Sequence, residues 1–119
     1  MYIAKRYLNI PVARASEMQV FQIQVGGVQR REFPVQLADH SPDFWIFIDV
    51  SEFQGQTITL LGPSSQAALD QIYQADKIEG ASSLYKERNR PQFHFTVKRG
   101  WSNDLNGPIF YKGQFHLFW

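Results

Sequence analysis

The sequence predicts an all-β chain, and three observations carry that expectation. Aromatic residues are 15% of the 119 positions, with ten Phe, five Tyr and three Trp, and flat rings pack well on a pleated, half-buried surface. Phe21, Ile23 and Val25 alternate with Gln22 and Gln24, the period of two that a strand with one buried face requires. Turn-forming stretches, among them Gly26-Gly27, Ser41-Pro42 and Gly62-Pro63, recur at short intervals. Short strands with such punctuation build small antiparallel sandwiches. That architecture is expected for residues 1–88, with a second segment over residues 89–119.

Taken in order, Tyr7-Leu8-Asn9-Ile10-Pro11-Val12 reads as a first strand, which Pro11 demotes to a sheet edge because it cannot donate to a ladder. The alternating run Phe21, Ile23, Val25 follows, and Gly26-Gly27 marks a hairpin, since both residues can take positive φ. The return strand covers residues 28–37, with Phe33, Val35 and Leu37 on one face and Pro34 again suggesting an edge or bulge. Phe44-Trp45-Ile46-Phe47-Ile48 is the most apolar run and reads as a strand covered on both faces, the centre of the core. Residues 57–61 alternate as a further strand, which Gly62-Pro63 ends. Residues 64–77 are the one helical candidate: Ser64 or Ser65 can cap it, and Ala68, Leu69, Ile72, Tyr73 and Ala75 give a partial apolar stripe. Ile72 and Tyr73 fit an irregular β-connection equally well. Residues 80–90 read as a linker.

Composition removes several classes of function. A net charge of +1 gives no footprint for nucleic acid, and the short basic clusters at residues 30–31, 86–90 and 98–99 read as solvated faces or turn flanks. Without cysteine there is no disulfide and no thiolate chemistry. No apolar run approaches the roughly 18 residues of a membrane span, and no charged-then-apolar leader opens the chain, so a signal peptide is expected to have been removed or to lie upstream. His40, His94 and His116 lack the close pairing of a metal site. Neither a metal nor a cofactor is expected.

The last thirty residues carry the chemistry. Arg90-Pro91-Gln92-Phe93-His94-Phe95, then Trp101-Ser102-Asn103-Asp104-Leu105-Asn106-Gly107, then Phe115-His116-Leu117-Phe118-Trp119 form three blocks in fixed order. Together they resemble the opening of the catalytic domain in glycoside hydrolase family 32, the invertases, inulinases and levanases. By themselves, Asn, Asp and Gly are also the residues of any tight turn. The resemblance implies a five-bladed β-propeller, of which residues 92–98, 108–111 and 114–119 would be the first strands, the last two joined by a Lys112-Gly113 turn. It implies that Asp104 is the nucleophile of a retaining β-fructosidase, that Asn103 holds sugar hydroxyls or orients the carboxylate, and that Trp101 forms an apolar wall. Leu105 stands where the family has Pro, which releases a backbone constraint on Asp104. Residues 7–12, 31–33 and 42–50 are similar to the accessory domain that precedes the catalytic domain in some levanase-like enzymes.

Retaining hydrolysis needs two carboxylates about 5–5.5 Å apart, one attacking and one protonating the leaving group. The family's acid Glu and its Arg-Asp-Pro motif have no counterpart here, so the chain is expected to be inactive alone. The resemblance further implies fructose-containing oligo- or polysaccharide substrates such as levan, inulin or sucrose, the rest of a catalytic domain as partner, and an extracytoplasmic (secreted or periplasmic) location. The apolar C-terminal strands are expected to dock on the sandwich, to self-associate by pairing with another chain's sheet edge, or to be disordered. Two other readings stay open: a carbohydrate-binding module using exposed aromatics such as Trp101 or Tyr111, and a purely structural β-sandwich.

Overall fold

The computed structural model describes residues 1–62, 65–91, 93, 95–97 and 104–118. The chain is mostly β and divides into two compact units, Met1–Ser82 and Ser83–Trp119.

The N-terminal unit contains two three-stranded antiparallel sheets. Strands β1 (Tyr7–Val12), β4 (Phe44–Asp49) and β6 (Tyr73–Ala75) form one in the order β4-β1-β6. Strands β2 (Gln19–Val25), β3 (Val28–Val35) and β5 (Ile58–Leu61) form the other in the order β3-β2-β5. Leu8, Ile10 and Val12 from β1 share one apolar cluster with Phe21 and Ile23 from β2, Val35 and Ile58, so both sheets contribute to a common core. Fully burying side chains of this size stabilises by about 1.5–3 kcal/mol each.

The alternating run behaves as its period requires. Phe21 and Ile23 are buried while Gln22 and Gln24 are half-buried. Phe21 pairs directly with Phe33 of β3, their rings 5.2 Å apart. Gly26 and Gly27 close this hairpin with φ of 57° and 78°, the pair of positive values that a two-residue turn matched to strand twist demands. Pro34 sits in β3, an edge strand, where a missing N–H costs no ladder bond.

Two expectations about strand order in this unit are overturned. β1 is the central strand of its sheet rather than an edge. The reason lies in how far each neighbour runs. β4 pairs along the whole of β1, but β6 pairs only with Tyr7, Leu8 and Asn9. In an antiparallel ladder the N–H and C=O of one residue leave on the same side. The C=O of Pro11 accepts from Ala38 N–H at 3.1 Å, and that of Val12 from Asp43 N–H at 2.8 Å. Pro11 therefore faces away from β4, at a level that β6 never reaches, and its absent donor breaks no pairing.

Conversely, β4 is an edge and not the centre of the core. Phe44 is exposed and Trp45 to Asp49 are half-buried. Ile46 and Ile48 pack on the core cluster, while Trp45 and Phe47 lie on the opposite face. There Phe47 meets Tyr7 edge-on at 5.7 Å, and Trp45 meets Tyr73 across β1 at 5.4 Å. Both faces of β4 carry apolar side chains, yet neither is sealed from water.

The helical candidate shrinks to α1 (Gln66–Asp70), with Ser65 as N-cap accepting from Ala68 N–H at 3.4 Å. Tyr73 and its neighbours become β6 instead. Ile72 is buried in the core all the same. Among the described residues no helix is long and apolar enough to cross a membrane.

The C-terminal unit contains one antiparallel hairpin, β7 (Asn106–Tyr111) with β8 (Gln114–Phe118). Lys112 and Gly113 form its turn with φ of 51° and 80°. Of the strand expected over residues 92–98, the described positions Phe93, Phe95, Thr96 and Val97 are not in a strand; Gln92, His94 and Lys98 lie outside the described residues. Ile109, Phe110, Tyr111, Phe115 and Phe118 are each more than half exposed.

Candidate functional site

Asp104 and Leu105 immediately precede β7, and both are exposed. The local backbone explains how β7 begins. Asn106 pairs with Phe118, but the next pair is Ile109 with His116, so β7 carries one residue more than its partner. That is a bulge. Gly107 takes φ of 51° within it, a conformation that costs glycine little, and Pro108 sits where no ladder donor is needed. The dipeptide Asn106-Gly107, which alone would signal a hairpin turn, thus opens a strand. The Asn106 amide donates to the Asp104 carbonyl at 3.4 Å, tying the backbone at Asp104 to the start of β7. Asn103 and Trp101, the other two site residues expected from the sequence, lie outside the described residues.

A single carboxylate on a strand end can act as a nucleophile or hold a sugar hydroxyl, but not also protonate a leaving group. Within residues 83–119 the only other carboxylate side chain is Glu87. It is committed elsewhere. Its two oxygens accept from Arg90 Nε at 2.6 Å and Nη2 at 3.1 Å, the bidentate fork that suits a guanidinium. The pairing with Glu87 raises the Arg90 pKa. Arg90 also lies 4.3 Å from the centre of the Tyr85 ring and donates to the Thr96 hydroxyl and, at 3.4 Å, to the Val97 carbonyl.

Arg90 therefore ties residues 85–87 to residues 96–97. The cluster 86–90 reads in sequence as a solvated face or turn flank, and residues 86–89 are exposed, but the Arg90 side chain is only 14% exposed. Sequence reasoning missed this role, although the three-residue spacing of Glu87 and Arg90 is one at which opposite charges meet.

Elsewhere, His40 is exposed in a turn, and His116 lies on β8 with its ring 6.3 Å from that of Tyr111; His94 is outside the described residues. No group of three or more His, Cys, Asp or Glu that could hold a metal ion occurs among the described residues. The N-terminal unit has an open cleft of about 200 Å³ bordered by Glu17, Gln19, Asp39 and Ser65.

A family match covers the segment that holds Asp104. Residues 94–119 match the family described as the glycosyl hydrolases family 32 N-terminal domain. The levanase of Bacillus subtilis is 45% identical over 51 residues, which is 43% of this chain and 7% of the levanase. A fructan beta-fructosidase of Streptococcus mutans is 53% identical over 34 residues, 29% of this chain and 2% of that protein. The vacuolar acid beta-fructofuranosidase 1 of a Rosa hybrid cultivar is 60% identical over 30 residues, 25% of this chain and 5% of the relative. The chain thus spans no more than a tenth of the curated relatives it matches. No solved structure matches it. Residues 94–119 are thus similar to the glycosyl hydrolases family 32 N-terminal domain, and parts of the chain are similar to levanases, fructan beta-fructosidases and beta-fructofuranosidases.

Proposed function

We propose that this chain is the N-terminal part of a retaining glycoside hydrolase acting on β-fructosides such as levan, inulin or sucrose, with Asp104 as nucleophile. The observation that supports it most is the family match over residues 94–119, which brackets Asp104 and its hairpin. In this reading Asn103 and Trp101 line the fructose site. Residues 1–88 are an accessory domain whose two sheets pack as a sandwich around the shared core. Residues 89–119 begin the catalytic propeller, with β7 and β8 as strands of its first blade, and the natural partner of the hairpin is the rest of that domain. The protein works outside the cytoplasm.

Retention proceeds by attack of Asp104 on the anomeric carbon as the leaving-group oxygen takes a proton from a second carboxyl group. Glu87, forked onto Arg90, does not serve as that acid. The chain therefore holds half of the catalytic pair and is inactive alone. The test is hydrolysis of levan, inulin and sucrose by the longest reading frame that contains residues 1–119, with and without Asp104→Asn. Loss of turnover with retained folding supports the assignment; equal activity of the two proteins refutes it.

A second reading rests on Tyr111, which is 56% exposed at the end of the hairpin. A ring so placed can stack on a sugar without catalysing anything. Levan oligosaccharide binding that Tyr111→Ala abolishes, with no dependence on Asp104, would favour this binding-module reading.

A further inference from the structure

Asn9 is fully buried in β1, on the face opposite Leu8 and Ile10. Its amide is committed on both sides to main chain distant in sequence. Oδ1 accepts from Glu79 N–H at 2.7 Å, and Nδ2 donates to the Lys77 carbonyl at 3.3 Å. Residues 77–79 thus run over Asn9, with Ile78 buried between the two anchored residues.

Nearby contacts repeat the pattern. Gln74 accepts from Ala4 N–H at 2.8 Å and Lys5 N–H at 3.2 Å, and donates to the Tyr2 carbonyl at 2.7 Å. Lys5 pairs with Asp76 at 2.6 Å, and the Tyr73 hydroxyl donates to Glu79. Strand β6 is only three residues long and supplies few ladder bonds, so polar side chains hold this stretch to the sheet. Immediately beyond Glu79 comes Gly80 at φ 67°, and the compact unit ends at Ser82.

We infer that Asn9 locks an exit strap: it fixes residues 77–79 across β1, so that the N-terminal unit stays held through Glu79 and the chain is released from its sheet only after that residue. The lock needs an amide. Leucine fills the space but leaves a buried N–H and a buried C=O unpaired, and aspartate keeps the acceptor while losing the donor. The inference stands whether or not residues 104–118 belong to a hydrolase.

Limited trypsin digestion and amide exchange on the 119-residue chain test it. In the wild type, the bond after Lys77 is cut at least about tenfold more slowly than the bond after Arg88, and the Glu79 amide is protected. In Asn9→Leu, which removes the acceptor of the Glu79 N–H, Glu79 protection falls by about tenfold or more and cleavage after Lys77 accelerates. Asn9→Asp keeps that acceptor but loses the donor to the Lys77 carbonyl, so cleavage after Lys77 accelerates while Glu79 stays protected. The Phe21 and Ile23 amides keep their protection in both. Equal cutting after Lys77 and Arg88 in the wild type overturns the inference, as does unchanged Glu79 protection in Asn9→Leu. Should the variants unfold the whole unit, the wild-type digestion decides alone.

Discussion

Gly62 follows β5 at φ 134°, and a Cβ built there would lie 2.0 Å from the Val20 carbonyl oxygen and 3.1 Å from the Phe21 Cα. The obstacle is the backbone of β2, the central strand of its sheet, which cannot swing aside as a surface side chain can. Gly62→Ala therefore incurs two costs. Positive φ with a Cβ costs about 1–2 kcal/mol, and forcing extra volume against packed backbone adds about 1–3 kcal/mol. The sum is roughly 2–5 kcal/mol, a loss of about one and a half to three and a half powers of ten in the folding constant.

Gly55 provides the control. It also has positive φ, 81°, but nothing lies within 4 Å of a Cβ there, so Gly55→Ala should cost only the backbone part, about 1–2 kcal/mol. Urea denaturation of the two variants, followed by far-ultraviolet circular dichroism, measures the difference directly. A Gly62→Ala midpoint no lower than that of Gly55→Ala would show that β2 does not hold its position against the chain leaving β5, and the close-approach reasoning would fail.

Two further expectations concern titration. Asp49 is held down to about 2, first by its hydrogen bonds from Ser51 and then by Arg6 at 2.9 Å. Its contribution is present above the ordinary carboxylate pKa and is lost as pH falls towards 2. Asp49→Asn should thus flatten the acid limb of a urea-midpoint profile below about pH 4 and leave the neutral region nearly parallel to wild type. Tyr73 is pushed up to about 12, first by burial and then by the Glu79 carboxylate that accepts its O–H. The stability this supplies is complete below the ordinary tyrosine range and is lost as pH rises through 12. An ultraviolet titration should show Tyr73 ionising late, and Glu79→Gln should bring it earlier.

What the sequence made legible was local. The positive φ at Gly26-Gly27, the turn at Lys112-Gly113 and the alternation around Phe21 depend on a few adjacent residues, and each appears in the structure where expected. Positions in a sheet depend on partners tens of residues away. Pro11 read as an edge because its missing donor is visible in sequence, whereas the length of β6 is not. The run from Phe44 to Ile48 read as a doubly covered centre because its hydropathy is visible, whereas its place outside β1 is not. Asn9 gave no signal, since an amide between Leu8 and Ile10 means something only once residues 77–79 lie on it. At the candidate site, the motif singled out Asp104, but the fork between Glu87 and Arg90 was hidden in what looked like a solvated charged turn.

That fork carries the last prediction. If Asp104 is the nucleophile of a retaining fructosidase, the 119-residue chain should show no turnover of levan, inulin or sucrose, because its C-terminal unit holds no second carboxylate free to act as acid. Glu87 is the one objection to this argument, and its chemistry answers it. A carboxylate that accepts two charge-assisted bonds from a guanidinium is stabilised in its ionised form, whereas an acid catalyst must hold its proton until the leaving group needs it. In a longer protein with hydrolytic activity, Glu87→Gln should therefore leave the acid limb and the alkaline limb of the pH–rate profile where they were. Its effect should appear as lost stability around residues 85–97, through the weakened hold on Arg90. Asp104→Asn should do the reverse, removing turnover while leaving the denaturation midpoint within about 0.5 kcal/mol of wild type, as expected of an exposed side chain. An alkaline limb that disappears with Glu87→Gln would make Glu87 the acid, and the chain would then hold both members of the pair.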